Sequence, residues 1–220
     1  MSLVENVVIA AAGMGTRLGA GKPKCLVEIC GKNLIEYQLD LLRDVKSVFM
    51  VVGFCELDVI DFVSKLRKDV IFVRNPDFQH TKTLESYHLA AKLIEGNALF
   101  MDGDMIISPS DFSSFIGKTA TSDFLFGVSD RISDDPVYAD VRKQDANLII
   151  DGFSCENQSG YEWANVVYMP ANLMQGGKSN AFEYLQTLLP KPAAVLDRLE
   201  IDTRKDLELA EREIREGNLR

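Results

Sequence analysis

The chain has 220 residues, of which 46% are hydrophobic, and its formal net charge at pH 7 is −9. This length and composition allow a core of ordinary domain size. No apolar run approaches the roughly 20 residues of a membrane-spanning helix. The acidic balance disfavours a nucleic-acid-binding surface, which needs clustered Lys and Arg. The four cysteines form no CxxC pair and no secretory leader precedes the first apolar run, so we expect no structural zinc, reduced thiols and a cytoplasmic location.

The first half of the chain alternates apolar, β-branched runs with helical patterns. Strands are predicted at 7–11, 48–52, 70–73 and 98–101, and helices at 34–42, 57–66 and 83–94. Strands that alternate with amphipathic helices predict βαβ units, a mainly parallel sheet and helices on both of its faces.

The pattern changes after residue 120. Further strands are predicted at 123–128, 137–142, 148–151 and 165–169, a long helix at 180–189 and a tail helix at 203–216. "KQDANLII" predicts a hairpin turn, and Thr203 with Asp206 predicts a helix N-cap. The predicted fold is one α/β domain, a Rossmann-like three-layer α/β/α with a mixed, mainly parallel central sheet. Its nucleotide-binding half is residues 1–120 and its acceptor-side half is residues 121–220.

The first predicted strand runs into the glycine-rich segment "AAAGMGTRLGAGKPK", residues 10–24. A strand that ends in such a turn presents backbone N–H groups to anions. Gly13 and Gly15 allow a sharp turn and a close approach to a phosphate. Arg17 and Lys24 can then donate charge-assisted hydrogen bonds to phosphate oxygens. A tight turn with surface cations is the alternative interpretation of the Gly-x-Gly spacing taken alone.

Two better-known phosphate motifs do not fit. A dinucleotide fingerprint needs G-x-G-x-x-G, but here Gly19 comes one residue late and the second predicted strand ends without the expected acid. This disfavours an NAD-binding oxidoreductase. "GGKS" at 176–179 imitates the end of a Walker A loop, but Asn172 stands where its leading glycine belongs.

"AAAGMGTRLG", followed by "PKCLVEICGKNLIEYQLDLL", resembles the N-terminal signature of the nucleotidyltransferases that activate sugar phosphates and alcohol phosphates. The short stretch between Arg17 and Pro23 lacks the "PLT" of many sugar-phosphate members. It favours the compact members, such as phosphocholine or inositol-1-phosphate cytidylyltransferases. The resemblance implies that Arg17 and Lys24 are catalytic. It also implies a set of residues that bind the nucleoside triphosphate: Ala12, Gly13, Gly15, Thr16, Arg17 and Lys24.

Two acidic segments lie far apart in the sequence. "LFMDGDMII" places Asp102 and Asp104 at the end of an apolar strand, which in an open α/β sheet faces the ligand crevice. Asp202 comes directly before the tail helix. Mg²⁺ prefers carboxylate oxygens, although a turn residue and a helix N-terminal acid are the structural alternatives. The resemblance implies that Asp104 and Asp202 bind Mg²⁺ and that Asp102 contacts the nucleotide ribose or a metal-bound water.

The segment "NPDFQHTKTLESYHLAAKLI" resembles the part of the cytidylyltransferase-like members that contacts the nucleotide base. Asn75, Thr81 and Ser86 match that pattern, whereas Lys82 and Thr83 stand where relatives often carry Asn. A loop followed by an N-capped helix is the structural alternative.

The acceptor side is predicted from the second half of the chain. In relatives, the segment corresponding to "SGYEWANVVYMP" helps to shape the acceptor pocket, so Glu162, Trp163 and Asn165 are candidate acceptor-binding residues. A buried Trp that fills the core is the alternative for Trp163. Arg131 is a fourth candidate, facing an acceptor phosphate.

Taken together, the resemblance implies a Mg²⁺-dependent nucleotidyltransferase that moves CMP from CTP to a small alcohol phosphate. Inositol-1-phosphate ranks slightly ahead of phosphocholine. A quaternary ammonium group favours an aromatic cage, for which Trp163 and the nearby Tyr161 give only a thin case. The alternatives are a sugar-1-phosphate or molybdopterin-type enzyme that uses UTP, GTP or ATP, and a catalytically inactive nucleotide-binding module. Expected partners are the two substrates, with no nucleic acid and with room for a homodimer.

Overall fold

The structure is a computed structural model that describes residues 4–19, 21–156 and 158–219, except for the side chain of Thr16. Its strands are β1 (Asn6–Ala11), β2 (Glu28–Ile29), β3 (Lys32–Asn33), β4 (Ser47–Val52), β5 (Ile71–Arg74), β6 (Asn97–Asp102), β7 (Met105–Ile107), β8 (Leu125–Ser129), β9 (Tyr138–Gln144), β10 (Asn147–Ser154), β11 (Glu162–Pro170), β12 (Lys191–Val195) and β13 (Arg198–Glu200). Its α-helices are α1 (Leu34–Leu41), α2 (Glu56–Leu66), α3 (Thr83–Ala91), α4 (Pro109–Lys118), α5 (Ala181–Leu185) and α6 (Arg204–Glu216).

One mixed sheet organises the described residues. Its nine strands follow the order β5-β4-β1-β6-β11-β8-β12-β10-β9. The first four run parallel, as βαβ units require, and β11 then joins β6 in the antiparallel direction. Each strand predicted from the sequence corresponds to one of these strands, and the predicted hairpin is the antiparallel pair β9–β10.

Alternating side chains of the sheet supply two cores. Val7 and Ile9 of β1 face the core beneath α1, α2 and α4, whereas Val8 faces the core beneath α3 and α5. This arrangement buries both faces of β1 and explains why this strand is a continuous apolar run. A third cluster, which includes Leu18 and Ala210, packs α6 over the segment that follows the glycine loop.

The predicted long helix at 180–189 is wrong. The α-helix α5 ends at Leu185, and a 3₁₀ turn over Gln186–Leu188 follows it. Two local features account for the early end: the Thr187 hydroxyl donates to the Tyr184 carbonyl, and Leu189 precedes a proline, which disfavours the helical conformation. The predicted helix at 83–94 is also shorter, since α3 ends at Ala91.

Helix α4 and the short strands β7, β12 and β13 were not predicted. Serines and a glycine hide α4 in the sequence, although Pro109 at its first turn and the buried pair Phe112 and Phe115 give it a start and an apolar face. The N-cap at α6 is confirmed, because Thr203 and Asp206 exchange hydrogen bonds. None of the described helices has the length and apolar character that crossing a membrane requires.

Candidate nucleotide and metal site

The glycine loop opens at the carboxyl ends of two neighbouring strands. Ala10 of β1 lies opposite Asp102 of β6, and the Gly103 N–H donates to the Ala10 carbonyl at 2.8 Å. Gly15 has a φ of +59°, and a Cβ there would lie 2.5 Å from Cγ of Lys24. Only glycine therefore lets the loop close over the lysine side chain.

A short ribbon brings the distant acidic segments together. Strands β7 and β13 are antiparallel with Glu200 opposite Met105, and the Ile201 N–H donates to the Asp104 carbonyl at 2.8 Å. Asp104 lies just before β7 and Asp202 lies just after β13. The ribbon therefore places both aspartates beside the glycine loop, where Lys24 contacts them.

Asp104, Glu200 and Asp202 form an acidic triad, whose ligand oxygens lie within 4.8 Å of one another. Oδ1 of Asp104 is buried and has no hydrogen-bond partner among the described residues. Burial, followed by the charge of Asp104, raises the pKa of Glu200 to about 7. Three close, hard oxygen donors with an unused lone pair fit a divalent cation such as Mg²⁺. Glu200 was not predicted from the sequence.

Lys24 lies against this triad. Its Nζ donates to Oδ2 of Asp104 at 2.8 Å and to the carboxylate of Asp202. Burial alone would lower the pKa of the Lys24 ammonium, but the charges of Asp104 and Asp202 outweigh it and raise the pKa above its usual value. The ammonium therefore stays charged at neutral pH. Arg17 also reaches Asp202, at 2.6 Å, and its side chain is 59% exposed.

The turn that carries Asp104 is braced from two sides. The buried Gln38 donates through Nε2 to the carbonyl oxygens of Asp102 and Met105, at 2.8 and 3.0 Å. The Tyr87 hydroxyl donates to Oδ1 of Asp102 at 2.6 Å. Burial and the charge of Asp104 raise the pKa of Asp102 well above its usual range. Asp102 thus lies at the edge of the triad with its side chain held by Tyr87.

A cavity of about 300 Å³ adjoins the triad and includes Asp102, Glu200 and Asp202 in its wall. Two of the predicted acceptor-binding residues, Trp163 and Asn165, also line it. Asn165 has a left-handed backbone, with a φ of 56°, where the pairing of β11 with β8 is irregular. This conformation, which Asn tolerates better than most residues, lets its Nδ2 donate to Glu200 Oε2 at 3.1 Å.

The other two predicted acceptor residues do not lie on the cavity wall. Glu162 is fully buried, and its carboxylate accepts hydrogen bonds from Arg198 and Ser133. Arg131 pairs with Asp197 and, at 3.2 Å, with Glu213. Arg198 lines the cavity and was not predicted.

The three predicted base-contacting residues are joined by hydrogen bonds from the side chain of Asn75. The buried Asn75 donates through Nδ2 to Thr81 Oγ1 at 3.0 Å and to Ser86 Oγ at 3.2 Å. Its Oδ1 accepts from the Asp77 N–H at 3.2 Å. The side chain of Asn75 is therefore used within the protein, where it fixes the loop ahead of α3.

The loop residues predicted to bind the triphosphate differ in what they expose. A smaller cavity of about 90 Å³ is lined by Gly13, Gly15, Lys24 and Asp104, among others. The side chain of Ala12 is buried in the core, so its backbone is what it offers to a ligand. Thr16 belongs to a 3₁₀ turn, and the prediction for its side chain lies outside the described part of the structure.

This fold and site define a class of protein: an α/β domain with a glycine loop, a lysine and an acidic triad at the carboxyl ends of neighbouring strands. Residues 7–148 match the MobA-like NTP transferase domain. The chain belongs to that family, which confirms the resemblance found in its N-terminal signature.

Several curated relatives match parts of the chain. A CMP-5'-(3-aminopropyl)phosphonate synthase from Streptomyces rubellomurinus is 29% identical over 112 residues, covering 48% of this chain and 18% of that protein. A choline-phosphate cytidylyltransferase from Streptococcus pneumoniae is 27% identical over 119 residues, covering 52% of this chain and 51% of that protein. The matches thus span about half, or less, of the length of these relatives.

The inositol-1-phosphate CTP transferase from T. maritima has a similar solved structure. It superposes with a TM-score of 0.77 over 98% of both chains, at 20% sequence identity. At this identity the likeness shows the fold, and it confirms the predicted three-layer α/β architecture.

Proposed function

We propose that this protein is a Mg²⁺-dependent nucleotidyltransferase that transfers CMP from CTP to a small alcohol phosphate and releases pyrophosphate. The observation that carries the proposal is the position of Lys24, whose ammonium contacts both Asp104 and Asp202 beneath the glycine loop. A fixed cation, an anion-binding turn and an acidic triad at one sheet edge are what triphosphate chemistry requires.

The proposed roles follow from this geometry. Backbone N–H groups of the loop, together with Arg17, bind the triphosphate, and Lys24 stabilises the charge that develops on the leaving pyrophosphate. When bound to Asp104, Glu200 and Asp202, Mg²⁺ supplies further positive charge to the phosphates. Because Lys24 pairs with Asp104 and Asp202, and Arg17 also pairs with Asp202, cation and substrate binding must redistribute these contacts.

The bond changes need no general base. A phosphate oxygen of the acceptor attacks the α-phosphorus of CTP, the bond from that phosphorus to the bridging oxygen breaks, and pyrophosphate leaves. A phosphate monoester is largely dianionic at neutral pH, with a second pKa of about 6, so the attacking oxygen is already ionised. Catalysis then depends on positioning and on electrostatic stabilisation.

Two observations support the choice of substrates. The names of the three relatives described above share a cytidine nucleotide, which favours CTP, whereas a UDP-glucose pyrophosphorylase that superposes with a TM-score of 0.78 keeps UTP as the alternative. The cavity beside the triad measures about 300 Å³, near the lower end of the range for small-molecule sites, and this favours a small acceptor. Inositol-1-phosphate, phosphocholine and aminoalkyl phosphonates belong to that size class.

The test is pyrophosphate release from each of the four NTPs with a panel of acceptors. The panel contains inositol-1-phosphate, phosphocholine, phosphoethanolamine, 3-aminopropylphosphonate and glucose-1-phosphate. We expect pyrophosphate release only with Mg²⁺, and fastest release with CTP. Asp104→Asn and Asp202→Asn should abolish it. Asp61→Asn, on the surface of α2, is the matched control and should keep the wild-type rate. Release that is equal for all four NTPs would contradict the choice of CTP, and wild-type rates in either site variant would contradict the metal assignment.

A further inference from the structure

A buried ion pair lies at the cavity wall, where Arg198 lines the cavity. Arg198 is 3% exposed and Glu162 is fully buried. Arg198 donates to the carboxylate of Glu162 and, at 3.0 Å, to the carbonyl of Trp163. On its other side, the Arg198 guanidinium lies 3.5 Å from Oε2 of Glu200. The arginine thus bridges the interior and one carboxylate of the acidic triad.

Glu162 extends the same network to a further segment that lines the cavity. Its Oε2 accepts from the Ser133 N–H at 2.9 Å and from the Ser133 hydroxyl at 3.0 Å. Ser133 begins the cavity-lining segment 133–135. Asp135, at the end of that segment, lies 3.6 Å from Arg17 of the glycine loop. A continuous set of polar contacts therefore runs from Glu200 through Arg198 and Glu162 to Ser133.

The energetics of buried pairs indicate what this one does. Removing two charges from water costs about as much as their attraction returns, and well-packed apolar replacements of such pairs are often neutral or stabilising. Net stability is therefore a poor explanation for Glu162 and Arg198. What an apolar pair could not do is hold Ser133 and Glu200 at once, because both contacts need charged or hydrogen-bonding atoms.

We infer that Glu162 and Arg198 are positioning residues that link the cavity segment 133–135 to Glu200, so that the pair supports both divalent-cation binding and acceptor binding. The cation part of this inference depends only on the acidic triad, whereas the acceptor part rests on the proposed function. Removing a residue that orients a metal ligand typically lowers metal affinity by about 10- to 100-fold. We therefore expect a loss of about 10-fold or more.

The experiment compares single and paired replacements. Arg198→Met leaves the buried Glu162 without its charged partner, and Glu162→Met leaves Arg198 with the 3.5 Å contact to Glu200 as its remaining ion pair, so both should unfold at lower urea concentration than the wild type. The double variant removes both charges and should recover most of that stability. Glu162→Gln keeps the size of the side chain but cannot accept from Arg198 and Ser133 with both of its polar atoms, and it provides a milder variant that is expected to fold. Arg142→Met, at the surface pair with Asp151, is the control.

The decisive measurement is calorimetric titration with Mn²⁺ alone, without nucleotide or acceptor. The double variant and Glu162→Gln should bind Mn²⁺ about 10-fold or more weakly, and should show a raised KM for the acceptor with a smaller change in the KM for CTP. Arg142→Met should match the wild type in both measurements.

A double variant that folds and binds Mn²⁺ like the wild type would overturn the inference, since the pair would then be structural only. Wild-type protein that binds no Mn²⁺ would overturn it as well. If Mn²⁺ binding falls as expected but the wild type releases no pyrophosphate with any substrate pair, the positioning of Glu200 stands and the proposed function fails.

Discussion

The ammonium of Lys24 contacts two of the three carboxylates of the acidic triad. Its contacts with Asp104 and Asp202 compensate the charges of two close carboxylates. Lys22, two positions earlier, is exposed, although both lysines belong to the same glycine-rich segment. The two lysines carry the same charge but differ in their surroundings, so their replacement should have different effects on the rate.

We predict that Lys24→Ala lowers the rate of pyrophosphate release by about 100- to 1,000-fold, the range found when one fixed donor to a developing negative charge is removed. Lys22→Ala should stay close to the wild-type rate. Thermal unfolding of both variants in the presence of Mn²⁺ provides the control, because a cation should offset the repulsion between Asp104 and Asp202 that Lys24→Ala exposes. Equal rates for the two variants would remove Lys24 from the chemistry.

At the scale of elements, the glycine loop is shaped by two requirements that can be tested separately. Gly15 and Gly19 both adopt positive φ, at +59° and +66°. A Cβ on Gly15 would lie 2.5 Å from Lys24 Cγ, whereas a Cβ on Gly19 would meet nothing within 4 Å among the described residues. Backbone strain is therefore shared by the two positions, and contact with the lysine is particular to Gly15.

We predict that Gly15→Ala and Gly19→Ala each lower the free energy of unfolding by about 1–2 kcal/mol, because both place a Cβ in the left-handed region. Only Gly15→Ala should also displace Lys24, and a misplaced catalytic group can cost up to about 100-fold in rate. Urea unfolding and pyrophosphate release on the two variants distinguish strain from displacement. A comparable loss of rate in Gly19→Ala would show that loop strain alone explains the effect.

The same scale explains which elements could be predicted. Strands β1, β4 and β6 were predictable because each is a continuous apolar run buried on both faces, and the glycine loop was predictable because its residues are consecutive. The ribbon β7–β13 was not, since each strand has three residues and their pairing depends on contacts between distant parts of the chain.

Among the site residues that the sequence did not reveal, two had a usable signal. Glu200 and Asp202 are two positions apart, a spacing that places side chains on one face of an extended segment. Gln38 stands between the apolar positions Ile35 and Leu39 of α1, and a polar residue on a buried helix face must find buried partners. Arg198 had no such signal, because its partner Glu162 belongs to a distant strand.

At the scale of the whole molecule, ligand binding should appear as stability. The net charge is −9, and the acidic triad lies at the edge of the central sheet, where β13, near the end of the chain, pairs with β7 from its middle. A divalent cation and a nucleotide bound there would bridge the glycine loop, the ribbon and the start of α6. Because these segments come from distant parts of the sequence, such a ligand stabilises the folded chain over the unfolded one.

We predict that CTP with Mg²⁺ raises the melting temperature more than UTP, GTP or ATP does under the same conditions. At a ligand concentration of about 100 times Kd the stabilisation is about 2.7 kcal/mol, and for a chain of this size it corresponds to a shift of about 5–10 °C. Asp202→Asn should lose most of this shift, whereas Asp61→Asn should keep it. Equal shifts for the four nucleotides would contradict the preference for cytidine. A full shift in Asp202→Asn would instead contradict the placement of the cation in the acidic triad, because the nucleotide would then be bound without that carboxylate.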